Sequence, residues 1–280
     1  MDRMVKNKVG IIIQARMGSS RLPAKIALKL PYSGELSVIE HIIARSKAVN
    51  PDYLIAVATS VNAENDLLAA MTSQQGVVLF RGDEEDVLSR YAAITQQYQL
   101  DTIVRLTGDN PCIDPVYIEK AIEEHATHKA DYTYTQGLPL GMNVEVVSNT
   151  ALQIAHEQGI DQNEREHVTY FVRQRPDQFV LHYPQVLSDE QDCAQYRLTL
   201  DTPSDYALMC LLYQQLYSHN HLFGFNEIME FFKENPWVKA INQDVFQKNA
   251  YQSFEEEKAD ALELLAKNGF MYTIKHLKDA

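Results

Sequence analysis

Cysteine is scarce and poorly placed for cross-linking: Cys112, Cys193 and Cys210 are odd in number and form no CxxC pair. That excludes a disulfide framework and a cysteine-rich zinc cage, and it points to a reducing, cytoplasmic setting. Long apolar runs are also missing. The polar start MDRMVKNK and the short run at 9–13 offer neither a signal-peptide core nor a membrane span, so a soluble protein with no membrane partner is expected. No block rich in Lys and Arg offsets a net charge of −13, from 25 Lys and Arg against 38 Asp and Glu, so nucleic acid is not an expected partner. Internal repeats, low-complexity tracts and Gly/Ser linkers are absent from the 280 residues, which read as one main domain.

What the chain does carry is concentrated near its start. In VGIIIQARMGSSRLPAK, residues 9–25, an apolar strand-like run breaks into a small-residue loop where Arg16, Arg21 and Lys25 surround Gly18, Ser19 and Ser20. Small residues let backbone N–H groups approach an anion closely. The pattern predicts a phosphate site, though it follows neither GxxxxGK[ST] nor GxGxxG.

Apolar runs at 9–14, 53–59, 77–80 and 102–106 alternate with segments of helical spacing at 37–49, 63–74 and 85–98. Such alternation predicts a doubly wound, mostly parallel α/β sheet with helices on both faces and the ligand at the carboxyl ends of the strands. Pro115 opens a helix over 116–127. Short strands at 131–135 and 143–147 form a small β insertion around QGLPLG, a loop suited to a lid. Helices over 149–158 and 164–174, strands at 178–183 and 196–200, and a helix after Pro203 follow. The helical pattern over 223–280 reads as an appendage to a main domain over 1–222.

Asp109 in RLTGDNPCID and Asp201 in YRLTLDTPSD each close a strand. Carboxylate oxygens at strand ends suit Mg²⁺, and the same residues equally serve as acceptors in a turn or at a helix entrance. Asp205 reads as a partner of the helix dipole. Glu145 in NVEVV points opposite to Val144 and Val146, into a cleft or into solvent. Arg165 offers a bidentate fork for a carboxylate or a surface ion pair. His167 contacts substrate or serves the packing. His125 and His128 stand three residues apart with no third metal ligand in evidence, and nothing near Cys112 lowers its pKa for nucleophilic work.

The segments QARMGSSRLPAK, VATS, FRGDEEDVLSRY, RLTGDNPCID, NVEVV, EREHVT and RLTLDTPSD, in this order over residues 9–216, resemble the successive blocks of the sugar-acid nucleotidylyltransferases. The likeness is strongest to the cytidylyltransferases of the spore-coat-polysaccharide type, relatives of the enzymes that activate keto-deoxy-octulosonate and neuraminate with CTP. It implies a nucleotide-diphospho-sugar transferase-like fold and transfer of CMP from CTP to a sugar or sugar-acid hydroxyl, with pyrophosphate leaving, for surface polysaccharide biosynthesis. On the same likeness Arg16, Arg21 and Lys25 act on the triphosphate, and Ala15, Gly18, Ser19, Ser20, Thr59, Arg81, Gly82 and Asp109 contact the nucleotide. Asp109 and Asp201 would hold Mg²⁺, and Asn143, Glu145, Arg165, Glu166 and His167 the sugar. A homodimer is implied as well, with residues 131–185 as the sugar-binding and contact segment. Three alternatives stand beside this reading: a phosphate or phosphonate acceptor, a metal-dependent glycosyltransferase, and a non-catalytic nucleotide binder.

Overall fold

The run VGIIIQ becomes β1 (Val9–Gln14), whose alternating side chains fill both faces of a sheet: Ile11 and Ile13 pack on one side and Ile12 on the other. A strand buried on both faces carries a continuous β-branched run for this reason. In this computed structural model, which describes residues 7–187, 193, 195–247 and 253–279, six further strands join it. They are β2 (Leu54–Ser60), β3 (Val78–Gly82), β4 (Thr102–Thr107), β5 (Tyr132–Tyr134), β6 (Glu145–Ser148) and β7 (Leu181–His182). The sheet order is β3-β2-β1-β4-β6-β5-β7. The first four strands are parallel, and β6 then pairs antiparallel with β4. The strands expected as a small insertion therefore continue the main sheet, because Val146 and Val147 bury on opposite faces as the β4 residues do.

Helices cover both faces. On one side Ile39, Ile42 and Ile43 of helix Val38–Lys47 are fully buried, each contributing about 1.5–3 kcal/mol through the apolar surface it removes from water. On the other, Val87, Leu88, Tyr91 and Ile94 of helix Val87–Tyr98 form the inward stripe, and the Tyr91 hydroxyl donates to the Ile12 carbonyl at 3.0 Å.

The helix expected over 164–174 is broken into Gln162–Glu166 and Tyr170–Arg173, with His167 out of helical conformation at φ −100 and ψ 49. The segment 196–200 forms a single bridge, Arg197 to Leu140, rather than a strand. That bridge also pins the QGLPLG loop: Leu140 N donates to the Tyr196 carbonyl at 3.1 Å, and Leu198 N to the Leu140 carbonyl at 2.7 Å. Gly141 permits this with φ +96, where a Cβ would meet the Leu198 carbonyl oxygen at 2.6 Å. The loop is a strut, not a free lid.

The described residues up to Gln243 form one compact unit, and those from Asp244 onward form a second, made of helices Phe254–Lys267 and Met271–Asp279. Phe223, Phe225, Ile228, Phe232 and Val238 all enter the main core. The segment expected as one appendage from 223 thus divides at 243. Among the described residues no helix is long and apolar enough to cross a membrane; the polar start MDRMVK lies outside them.

Candidate active site

At the carboxyl edge of the sheet, Gly108 N donates to the Gln14 carbonyl at 2.8 Å. A Cβ on Gly108 would meet the Ala15 Cβ at 2.8 Å, so only glycine lets the ends of β1 and β4 close this far. The loop after β1 is thereby brought against the loop after β4. Ala24, in the left-handed conformation at φ 52, opens the short turn Lys25–Ala27. From that turn Lys25 Nζ donates to Asp109 Oδ2 and Asp201 Oδ1, each at 2.8 Å.

Burial alone would lower the Lys25 pKa, but the two carboxylates outweigh it and raise the ammonium above its ordinary value. The converse holds at Asp201. Burial pushes its carboxyl up, while Lys25, Arg21 and Arg197 more than offset this and hold it below the usual range. Arg21 Nη2 lies 3.3 Å and Arg197 Nη2 2.7 Å from Asp201 Oδ2. Thr107 Oγ1 donates to Asp109 Oδ1 at 2.5 Å and itself accepts from Asn110 Nδ2 at 2.9 Å, which orients the second carboxylate. Two carboxylates from distant segments thus face one point now held by an ammonium. Such hard oxygen donors fit Mg²⁺.

Arg197 and Asp205 are site supports that the sequence patterns missed. Arg197 is buried, and its Nε donates to Asp205 Oδ1 at 2.9 Å. Asp205, fully buried, also accepts from Thr202 N at 2.9 Å and Asn242 Nδ2 at 2.8 Å. It sits in the first turn, where a dipole role is expected, completes a capping box with Thr202 and, beyond that, fixes the arginine that pairs with Asp201. The available signal was the symmetric spacing of Arg197 and Asp205 about Asp201.

Arg16 is exposed, with Nη1 3.1 Å from Glu84 Oε1. It shares a small pocket with Gln14, Ala15, Glu84, Arg90 and Glu166. Arg90 is buried, its pKa lowered chiefly by that burial, and its Nε has no hydrogen-bond partner among the described residues. A polar position on an amphipathic helix gave no hint of it. Gly18 and Ser20 are exposed and Ser19 is half-buried, open to an approaching anion. Thr59 is fully buried with its Oγ1 unpartnered among the described residues, in register with Arg81. Arg81 braces the sheet edge, donating to the carbonyls of Ser60 at 3.0 Å and Asn62 at 2.9 Å and pairing with Asp66 at 2.7 Å. Gly82 is pressed against Arg90, whose Cγ would lie 2.8 Å from a Cβ there.

In the second half, Glu145 accepts from Arg105 Nη1 at 2.9 Å and Thr169 Oγ1 at 2.6 Å, so its carboxylate is held by the protein itself. Asn143 Nδ2 donates to the Leu138 carbonyl at 3.2 Å, steadying the strut loop. The Arg165 guanidinium pairs with Asp86 and donates to the His156 carbonyl at 2.8 Å. It joins two helices and does not present a free fork. Glu166 lines the Arg16 pocket. Half-buried His167 has its pKa lowered by burial, which outweighs the pull of Glu166. Arg173, which sequence reasoning passed over, has a buried Nε without a partner among the described residues and lies over the Tyr170 ring at 5.8 Å. Cys112 is buried and its thiol pushed up to about 12, which leaves no thiolate for nucleophilic attack.

The Cytidylyltransferase family model matches residues 10–238. The spore coat polysaccharide biosynthesis protein SpsF of Bacillus subtilis is 36% identical over 211 residues, spanning 75% of this chain and 88% of SpsF. A 3-deoxy-manno-octulosonate cytidylyltransferase of Nitrobacter winogradskyi is 30% identical over 133 residues, 46% of this chain and 50% of that protein. The solved structure of a cytidylyltransferase from Leptospira borgpetersenii superimposes with a TM-score of 0.76 at 29% identity, over 87% of this chain and 100% of that one. With the family model matched over most of the main unit, a 36% identical relative and a superimposable solved structure, the chain belongs to the cytidylyltransferase family of nucleotidyltransferases.

Proposed function

We propose that the protein transfers CMP from CTP to the hydroxyl of a sugar acid, releasing pyrophosphate and supplying a CMP-sugar for surface polysaccharide biosynthesis. The observation that best supports this reading is the meeting of Lys25, Arg21, Asp109 and Asp201 at the carboxyl ends of β1 and β4. The likeness to a 3-deoxy-manno-octulosonate cytidylyltransferase favours the acid class of acceptor.

In this reading Arg16, Arg21 and Lys25 bind the β- and γ-phosphates, and the backbone of Ala15, Gly18, Ser19 and Ser20 follows them. Thr59, Arg81 and Gly82 border the ribose and base. Lys25 turns from its carboxylates to the phosphates and offsets the charge that builds on the leaving pyrophosphate. Asp109 and Asp201 would hold Mg²⁺, which when bound neutralises phosphate charge and acidifies the attacking hydroxyl. Arg197, held by Asp205, keeps Asp201 ionised and aimed. On the acceptor side Glu166 and His167 meet sugar hydroxyls, while Asn143, Glu145 and Arg165 set the walls through their internal partners. Positioning and charge supply the rate, and no protein nucleophile takes part.

The deciding experiment is a pyrophosphate-release screen with Mg²⁺, each nucleoside triphosphate in turn, and panels of sugar acids, neutral sugars, sugar phosphates and phosphonates. Release with CTP and a sugar acid is the expected result. Release with a phosphate or phosphonate alone would replace the acceptor assignment. CTP binding without release under any combination would remove the catalytic reading.

A further inference from the structure

His125 and His128 share one helix, but the fold gives them different surroundings. His125 is buried, with Nδ1 3.0 Å from Thr133 Oγ1, and belongs to the packing of helix Pro115–His128 on β5. His128 lies on the outer side, one turn from Glu124. Across from it β7 delivers His182, a residue 58 positions from Glu124. Glu124 Oε2 lies 2.9 Å from His182 Nε2 and 3.4 Å from His128 Nδ1. One ligand atom from each of the three falls within 4.8 Å of the others.

A tetrahedral ion with bonds of about 2.0–2.1 Å to nitrogen and oxygen needs its ligand atoms about 3.3 Å apart. The two distances to Glu124 Oε2 bracket that spacing. The imidazoles of His128 and His182 are stacked with centroids 3.8 Å apart; because an imidazole nitrogen binds a metal in its ring plane, the rings turn about their side-chain torsions as they take the ion. The side chains of Glu124, His128 and His182 are 32%, 48% and 21% exposed, which leaves an entry path and room for a water as fourth ligand.

We propose that Glu124, His128 and His182 form a second metal site, one that takes a zinc-like divalent ion. Two imidazole nitrogens and one carboxylate suit Zn²⁺ and disfavour Mg²⁺, which prefers oxygen throughout. The ion replaces the protons now shared between the two imidazoles and Glu124, including the His128 Nδ1 bond to the Glu124 carbonyl at 3.0 Å. Its effect is to cross-link a helix to an edge strand. β7 has only two residues, paired as Tyr132 with Leu181 and Thr133 with His182, so a clamp there anchors the end of the sheet. The site lies apart from Asp109 and Asp201 in ligand chemistry and does not depend on the proposed reaction.

The test uses the full chain, freed of metal by chelation and titrated with Co²⁺ and then Zn²⁺, for the wild type, Asp109→Asn, His128→Gln and His182→Gln. One equivalent of Co²⁺ giving the intense visible bands of a four- or five-coordinate ion, bleached by Zn²⁺, is expected in the wild type and in Asp109→Asn alike. Each histidine variant should weaken Zn²⁺ binding at least tenfold. His128→Gln, at an exposed helix end, guards against loss of fold in His182→Gln, with circular dichroism as the check. Unchanged binding in both histidine variants, loss in Asp109→Asn alone, or only millimolar, non-stoichiometric binding would overturn the site.

Discussion

Lys25 bridges the Asp109 and Asp201 carboxylates, and its removal has two separable consequences. Pyrophosphate release by Lys25→Ala should fall by about 10²–10³-fold, the usual loss when a preorganised donor to developing charge is deleted. In the same variant Asp109 and Asp201 lose their resident cation, so Mn²⁺ binding without CTP, read by electron paramagnetic resonance, should tighten. An unchanged Mn²⁺ affinity would show that the two aspartates do not share an ion. Asp201 adds a test in pH. Its carboxyl is held below the usual range by Lys25, Arg21 and Arg197 despite burial. The pairing therefore stabilises the fold above the unfolded carboxylate pKa of about 3.9 and is lost as pH falls through the lower folded value. Asp201→Asn should be less stable than the wild type in urea at pH 7, with the gap closing as pH is taken below 4.

Two helices each carry a buried neutral histidine: His41 on Val38–Lys47 and His125 on Pro115–His128. Burial pushes both to about 4. The unfolded chain takes up these protons near pH 6.5 and the folded chain only near pH 4, so stability drops across that window as pH falls, by up to ~3 kcal/mol per histidine. His125→Gln, which can still bond Thr133, should flatten the slope of urea stability between pH 7 and pH 4.5. The elements themselves were legible wherever one periodicity ruled. β1 and helix Val87–Tyr98 stand where their apolar spacing puts them, because each buries a face along its whole length. Asp109 was legible as a carboxylate just past a strand, β4, and Asp201 only as the residue before the Thr202-Pro203 helix entrance, since 196–200 forms a bridge and no strand. Lys25 as their bridge was not, since its partners lie 84 and 176 residues away and no local pattern encodes such a meeting. The same holds for the break at His167 and for the antiparallel run of β6 along β4, both set by long-range packing over local propensity.

At the scale of the molecule, the question is where the catalytic unit ends. Helical periodicity resumes past 223 and is broken by Asn235-Pro236-Trp237, but the chain crosses from one compact unit to another only after Gln243. The stretch between is locked to the main core. Arg45 Nη1 donates to the Phe223 carbonyl at 2.8 Å, Phe225 N donates to Asp114 Oδ2 at 2.9 Å, and Asn242 holds Asp205 behind the site. A chain ending at residue 222 forfeits five buried side chains, Phe223, Phe225, Ile228, Phe232 and Val238. At about 1.5–3 kcal/mol each, that loss rivals the whole 5–15 kcal/mol stability of an ordinary domain. The shorter chain should therefore fail to unfold cooperatively. A chain ending at Gln243 retains every candidate site residue, so it should unfold cooperatively, with Trp237, the single tryptophan, as fluorescent reporter. Its pyrophosphate release with CTP should stay within a few-fold of the full chain. Loss of turnover in the 1–243 chain with its fold intact would instead give the helices from Asp244 onward a direct part in the reaction.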